Sequence, residues 1–133
     1  MPFEQGIELS GFTARAAPGQ LTLSPYWTAT APVDTRYKFF AHVFGEGINP
    51  ATGTTLWAQI DGEPNLGATP VTAWRVGETV VDNLSFELPA GMYTVRLGWY
   101  DAFTGERLLV LDGSGAAIAS EATLGPFSIP PVP

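Results

Sequence analysis

The chain has 133 residues, a length that predicts one domain, because domains cluster near about 100 to 150 residues. Six basic residues against thirteen acidic ones give a net charge of -7, and the basic residues are scattered, which argues against a nucleic-acid or anionic-membrane surface. Fifteen glycines and twelve prolines exclude an all-helical fold, whereas a hydrophobic fraction of 45% excludes intrinsic disorder.

Apolar and β-branched runs recur about every dozen residues between clusters of Gly, Pro, Asn and Asp, and helical periodicity is absent. This spacing predicts an all-β fold, an immunoglobulin-like antiparallel β-sandwich of about seven to nine strands, with a jelly roll as the alternative. One such domain accounts for residues 1–133. The predicted strands are residues 7–13, 20–29, 36–44, 55–61, 79–88, 92–101, 108–111 and 124–129.

Alternation within these strands predicts which side chains form the core. In strand 92–101, the residues Tyr93, Val95, Leu97 and Trp99 share one face, which predicts that this face is buried. Both faces of strand 36–44 are largely apolar, so we expect this strand to be central.

Asp82 is the exception in its strand, because parity puts its carboxylate on the apolar face of residues 79–88. A buried carboxylate needs a cation or a cluster of N–H donors, since an unpaired charge would otherwise neutralise. Arg75 and Arg107 are the candidate partners. The three residues are therefore predicted to form a buried polar network.

The residues of the common catalytic and metal sites are missing. His42 is the only histidine, there is no phosphate-binding loop and no nucleophile elbow, and nothing marks one acid as a proton donor, so we expect no enzymatic activity. Asp61, Asp82 and Asp101 stand at strand ends or entries, where calcium-binding sandwiches place carboxylates, but their spacing matches no calcium loop. No metal site or cofactor is predicted, and calcium is the one ion these acids would suit.

Two tryptophans outside the predicted core indicate a sugar-binding site. Alternation puts Trp57 on the face of Gln59 and Asp61, and Trp74 lies in the long loop between strands four and five. Sugars bind such groups because a pyranose face stacks on an indole while polar neighbours take its hydroxyls. Together with His42, these residues are the predicted ligand-binding set. In the alternative, both indoles pack the long loop onto the sheet, and His42 is a structural residue.

No export signal or membrane span is visible. Glu4 and Glu8 stand where a signal peptide needs basic residues, and the uncharged stretch 16–33 contains three prolines, so we expect no direct membrane insertion. A start at Met1-Pro2 suits a domain excised from a larger membrane-anchored protein.

Five segments follow one another in a moderately specific order: YKFFAHVF at 37–44, AQIDGEP at 58–64, GATPVTAW at 67–74, GETVVD at 77–82 and GMYTVRLGWYD at 91–101. Over about residues 21–129 the chain resembles the β-sandwich domain that follows the membrane-spanning part of some bacterial glycosyltransferases of the protein-mannosyltransferase type. One departure is Val71, which stands between Pro70 and Thr72 where the family has Thr directly after Pro.

The resemblance implies an extracytoplasmic, non-catalytic accessory domain of an enzyme that transfers sugars from a lipid carrier. It transfers no catalytic residue to this chain, because the chemistry belongs to the membrane part. The partners it implies are a glycan or the parent membrane enzyme. A purely structural or protein-interaction module without a small ligand is the alternative function, and the oligomeric state stays open.

Overall fold

The computed structural model describes residues 1–133, and most of them lie in antiparallel strands, which confirms the predicted all-β fold. The only helical segments are three single 3-10 turns, Glu4–Gly6, Pro64–Gly67 and Val71–Ala73. None of these turns has the length or apolar content needed to cross a bilayer. The strands are β1 (Ile7–Ala17), β2 (Gln20–Ala29), β3 (Tyr37–Asn49), β4 (Thr54–Gly62), β5 (Thr79–Val81), β6 (Leu84–Glu87), β7 (Gly91–Asp101), β8 (Val110–Leu111), β9 (Ala117–Ala119) and β10 (Ala122–Ile129).

Two four-stranded sheets form a β-sandwich. In one sheet β2 pairs with β1 on one side and with β5 and β6 on the other, and the second sheet has the order β10-β7-β3-β4. β8 and β9 form a separate small hairpin. The connections β2 to β3, β4 to β5 and β6 to β7 cross between the sheets.

This strand order supports the immunoglobulin-like prediction over the jelly roll, although the topology class stays a prediction. With β5 and β6 counted as one strand, the first, second and fifth strands of the sandwich share a sheet, as the immunoglobulin-like prediction requires. The Tyr93 hydroxyl near the start of β7 donates a hydrogen bond to the Pro89 carbonyl oxygen in the preceding turn (2.8 Å). A tyrosine that bonds back across this corner is a feature of immunoglobulin-like domains.

The predicted strand 79–88 is divided into β5 and β6 at Asp82-Asn83. Both halves pair with β2, and the break lies opposite Pro25, whose carbonyl oxygen accepts a hydrogen bond from the Asp82 N–H (3.2 Å). The reciprocal bond is missing because proline has no N–H to donate. The break therefore follows from Pro25 of β2. It leaves Asp82 outside the regular strand pairing.

Aromatic side chains from both sheets form the centre of the core. Trp27 of β2 and Trp99 of β7 meet edge to face, with their ring centroids 4.9 Å apart, and Phe39 of β3 contacts Trp99 in the same way. The predicted core face of β7 is confirmed, since all four of its side chains are buried. β3 lies between β7 and β4, so its central position is confirmed as well.

Candidate functional site

The outward side of the sheet β10-β7-β3-β4 gathers several charged, polar and aromatic side chains. Across β3, β4 and β7, His42 lies opposite Gln59 on one neighbour and opposite Arg96 on the other. Three of the five predicted ligand residues, His42, Gln59 and Asp61, are therefore brought together. We call this surface the polar face; its members are Phe40, His42, Phe44, Gln59, Asp61, Arg96 and Tyr100 from the three strands, with Arg107 and Glu121 from the segments beside them.

Two arginines cover aromatic rings on the polar face. The Arg107 guanidinium carbon lies 4.2 Å from the centre of the Phe40 ring, and that of Arg96 lies 4.3 Å from the centre of the Phe44 ring. Such cation–π contacts are favourable when the guanidinium faces the ring. Phe40 is consequently only 3% exposed although its strand position faces outward.

Gly98 gives the Phe40 ring its place. The two residues lie opposite each other on β7 and β3, and a Cβ added at Gly98 would sit 2.2 Å from the nearest Phe40 ring carbon. Any larger residue at position 98 would displace the ring, together with the Arg107 side chain above it. The absence of a side chain on β7 is therefore what lets an aromatic ring lie flat on the outside of this sheet.

Glu121 holds both arginines. Its carboxylate lies 3.5 Å from a terminal nitrogen of Arg96 and 3.2 Å from one of Arg107. All three side chains are partly exposed, so each pair alone contributes little to stability. Their common effect is positional, because one carboxylate orients two guanidinium groups over two rings.

His42 lies between the two aromatic rings. Its ring centroid is 5.1 Å from that of Phe40 and 6.3 Å from that of Phe44. Burial is the main cause that lowers the pKa of His42 below its ordinary value, and the positive charge of Arg107 lowers it further against the opposing effect of Asp61. The imidazole is therefore neutral at neutral pH, and its immediate neighbours are aromatic rings.

Asp61 and Tyr100 close one end of the polar face. The Tyr100 hydroxyl donates a hydrogen bond to Asp61 Oδ2 (3.0 Å). Burial raises the pKa of the Tyr100 hydroxyl, and the hydrogen bond to Asp61 adds to the shift. The remaining Asp61 oxygen and the exposed Gln59 amide are free to meet a ligand from solvent.

Trp57 does not share a face with Gln59 and Asp61, which corrects the prediction from strand alternation. β3 and β4 pair regularly from Phe39 opposite Gly62 to Val43 opposite Ala58. The next pair is Phe44 opposite Leu56, so Trp57 is the extra residue of a β-bulge. A bulge shifts the alternation by one residue. Counting along β4 alone could not reveal it, because the bulge is defined by the pairing with β3.

The Trp57 ring packs at the edge of the core instead. It meets Tyr93 edge to face at 6.1 Å between centroids, and its N–H donates to the Gly47 carbonyl oxygen (3.1 Å). Gly45 lies directly beneath the indole, since a Cβ there would be 2.7 Å from the ring. Trp57 is half-buried and separate from the polar face.

Trp74 is buried, which corrects its prediction as a sugar-stacking residue. Only 7% of it is exposed, and its ring meets Trp99 edge to face at 5.8 Å between centroids. Its N–H donates to the Thr69 carbonyl oxygen within the same loop (2.8 Å). Trp74 therefore anchors the long loop to the core, as the alternative from the sequence held.

The predicted network of Asp82 with Arg75 and Arg107 is wrong. Asp82 is buried, at 5% exposed, but Arg107 pairs with Glu121 and Arg75 is exposed on the surface. The Asp82 carboxylate instead accepts a hydrogen bond from the Asn83 backbone N–H (2.8 Å). Burial is the main cause that raises the pKa of Asp82, and backbone N–H groups offset only part of it.

The three aspartates considered for calcium do not form one site. Asp101 accepts hydrogen bonds from the N–H groups of Phe103 (2.8 Å) and Thr104 (3.3 Å), so it caps the turn after β7. Asp61 bonds Tyr100, and Asp82 lies in the break between β5 and β6. No three His, Cys, Asp or Glu side chains come together in the geometry of a metal site.

Sequence reasoning missed five members of the polar face: Phe40, Phe44, Arg96, Tyr100 and Glu121. The outward parity of Arg96 and Tyr100 on β7 was readable from the alternation, and it placed both on the side of His42. Glu121 gave no signal, because its partners lie 14 and 25 residues away in sequence.

Comparisons with known proteins add no relative. No protein-family model matches the chain, and no curated protein matches it.

Proposed function

We propose that this chain is a non-catalytic accessory domain of a membrane glycosyltransferase-like protein, and that its polar face recognises carbohydrate outside the cytoplasm. The observation that carries the proposal is the convergence of His42, Gln59 and Asp61 on one sheet face. The resemblance to the domain appended to bacterial protein-mannosyltransferase-type enzymes supplies the setting.

The polar face suits hydroxyl recognition because its donors and acceptors are held in place before a ligand arrives. Arg96 and Arg107 are oriented by Glu121 and by the rings beneath them, and Tyr100 orients Asp61. Preorganised polar groups bind better than mobile ones, since less side-chain freedom is lost on binding. Trp74 is buried and Trp57 packs at the edge of the core, so the sugar is recognised through its hydroxyl groups and not by stacking on these indoles.

A non-catalytic role fits the surroundings of the one histidine. His42 is flanked by Phe40 and Phe44 rather than by a nucleophile, and its pKa is lowered by burial, which makes it a poor proton donor at neutral pH. A neutral imidazole at this position serves as a flat polar contact.

A second candidate is a protein-interaction module without a small ligand. The observation that favours it is the covering of the aromatic rings on the polar face by arginine, which leaves little ring surface for a sugar. Arginine, tyrosine and histidine side chains on a sheet face also suit a protein interface, in which Arg and Tyr are enriched.

A glycan array with the purified domain separates the two candidates. The variant Gln59→Ala removes an exposed amide from the polar face, and Gln20→Ala removes an equally exposed amide from the other sheet. We expect glycan binding by the wild type to fall at least about tenfold in Gln59→Ala and to persist in Gln20→Ala. Repeating the array with calcium and with a chelator tests the remaining role for the acidic residues.

Two results would count against carbohydrate recognition at the polar face. Wild-type protein that binds no glycan leaves the protein-interaction module as the function. Binding that is equal in the two glutamine variants moves the sugar site away from this sheet face.

A further inference from the structure

A cleft of about 450 Å³ opens where β4 of one sheet faces β6 of the other. Its apolar wall consists of Phe39, Ile60 and Leu84, whose side chains belong to the interior of the sandwich. The segment after β4 forms the opposite wall. A cleft of this size holds a ring-sized small molecule.

Asp82 lies in this cleft with a carboxylate that has no cationic partner. Asp82 is only 5% exposed, and none of the four ion pairs of the chain includes it. Its Oδ1 atom accepts a hydrogen bond from the Asn83 N–H (2.8 Å), and the Asn65 N–H also favours its charged form, but both are neutral backbone groups. A buried carboxylate that lacks a counter-charge is costly, and the cost is relieved by protonation or by a bound cation.

None of the other charged groups at the cleft forms an ion pair with Asp82. Glu63 is held by Arg36 in a two-point ion pair, with Nε 3.0 Å from Oε2, and Asp61 accepts the Tyr100 hydroxyl. Lys38 lines the cleft but lies outside ion-pair distance of every carboxylate. The lining of the cleft therefore contains three carboxylates, Asp61, Glu63 and Asp82, and one ammonium group, that of Lys38.

The loop wall is held firmly, and it presents an apolar side chain to solvent. The Asn65 amide donates hydrogen bonds to the Thr69 hydroxyl (2.8 Å) and to the Val81 carbonyl oxygen of β5 (3.0 Å). Leu66, which lines the cleft, has a φ of 57° and is fully exposed. A bulky residue in the left-handed region is unfavourable, and such strain is found preferentially at ligand sites.

We propose that this cleft binds an organic cation, a primary ammonium or guanidinium group on an apolar body of about one six-membered ring, with Asp82 as its counter-ion. The apolar wall and Leu66 contact the body of the ligand, and the charged group reaches Asp82 at the break between β5 and β6. Because Asp82 is only 5% exposed, the ion pair forms in surroundings less polar than bulk water, where charge attraction is stronger. This site is separate from the polar face, with Asp61 at the boundary between them.

Cyclohexylmethylamine and cyclohexylmethanol are a matched pair of probes, because they share the ring and differ in the positive charge. Titration of the full chain at pH 7, followed through backbone amide resonances, is expected to shift Asn83, Leu84 and Gly62, with at least about tenfold tighter binding of the amine. Equal affinities for the amine and the alcohol would overturn the proposal.

The variant Asp82→Asn removes the charge and keeps the shape and the acceptor for the Asn83 N–H. It is expected to bind the amine no better than the alcohol, whereas the control Glu87→Gln, which removes an exposed charge from the same sheet, keeps the preference. Unchanged amine binding in Asp82→Asn would overturn the assignment of the counter-ion. Gln59→Ala should leave amine binding intact, so failure of the polar face and failure of the cleft are distinguished.

The pH dependence of the wild type tests the same point without a variant. Amine affinity should fall between pH 7 and pH 4 as Asp82 takes up a proton, and alcohol affinity should stay constant. Nα-acetyl-lysine methylamide presents the same ammonium group as a protein side chain would. Binding of this probe at least as tight as that of cyclohexylmethylamine would assign the site to a lysine of a partner protein, and weaker binding would assign it to a free amine.

Discussion

The polar face and the cleft differ in how their charges are balanced. On the polar face, Glu121 pairs with two arginines, and both arginines also contact aromatic rings. In the cleft, Asp82 is more deeply buried than any of these groups and has no cation. In this domain, therefore, the more deeply buried charge is the one without a cationic partner, and the more exposed charges are paired. The charged groups of the polar face are held by one another, whereas the carboxylate of the cleft has no counter-charge within the chain.

The largest expected effect concerns the loop that walls the cleft. Trp74→Ala should lower the free energy of unfolding by about 3–5 kcal/mol, because it removes a buried indole that packs on Trp99. Urea unfolding measures the change. Trp57→Ala is the matched control, and its cost should be clearly smaller because that indole is only half-buried. Equal costs would mean that the loop is not anchored by Trp74.

The next effect concerns the packing of the polar face. Gly98→Ala should destabilise the domain by about 1–3 kcal/mol, since the new Cβ would overlap the Phe40 ring. Gly113→Ala is the control, because no atom lies within 4 Å of a Cβ at that position. Thermal unfolding compares the two. A neutral Gly98→Ala would show that the ring and Arg107 can move aside without cost.

Removing one charge from each region should change stability in opposite directions. Glu121→Gln is expected to destabilise by about 0.5–1 kcal/mol, because two partly exposed ion pairs are weakened. Asp82→Asn is expected to stabilise by about 1 kcal/mol at pH 7, because an incompletely satisfied buried charge is replaced by a neutral group. A loss of stability in both variants would contradict the contrast between the regions.

The pH dependence of stability should confirm the sign for Asp82. Its pKa is raised in the folded state, so the folded protein binds the proton more tightly than the unfolded chain. Wild-type stability relative to Asp82→Asn should therefore rise as the pH falls through the folded pKa, and the gain should be complete below the ordinary aspartate value. If the stability difference between the wild type and Asp82→Asn stays constant with pH, folding does not raise the pKa of Asp82.

The smallest expected effect comes from His42. Its pKa is lowered in the folded state, so stability present above about pH 6.5 is lost as the pH falls through the lower folded value. The loss should be smaller than every effect above, since the ring is only partly buried and solvent screens its charge. Urea unfolding of His42→Gln between pH 7 and pH 5 should lack this step. A step of unchanged size in the variant would assign it to another group.

The strands and the core face of β7 could be predicted because alternation is a local property. Residues i and i+2 face the same way in any regular strand. The alternating apolar residues from Tyr93 to Trp99 therefore predict a buried face, and the partner strands need not be known. The burial of Asp82 followed from the same rule. His42, Gln59 and Asp61 were predicted as candidate ligand residues, but the strand pairing that brings them together was not.

Only the tertiary structure decided where Trp57, Trp74 and Arg107 lie. The face of Trp57 depends on a bulge, which exists only in the pairing of β4 with β3, and the break at Asp82 depends on Pro25 of β2. The burial of Trp74 depends on a loop that docks on Trp99. Arg107 pairs with Glu121 rather than with Asp82, because the fold brings a Glu121 carboxylate oxygen within 3.2 Å of a terminal nitrogen of Arg107. Alternation and composition, which the sequence by itself determined, report neighbours along the chain, whereas pairing register, loop docking and ion-pair choice depend on contacts between distant segments.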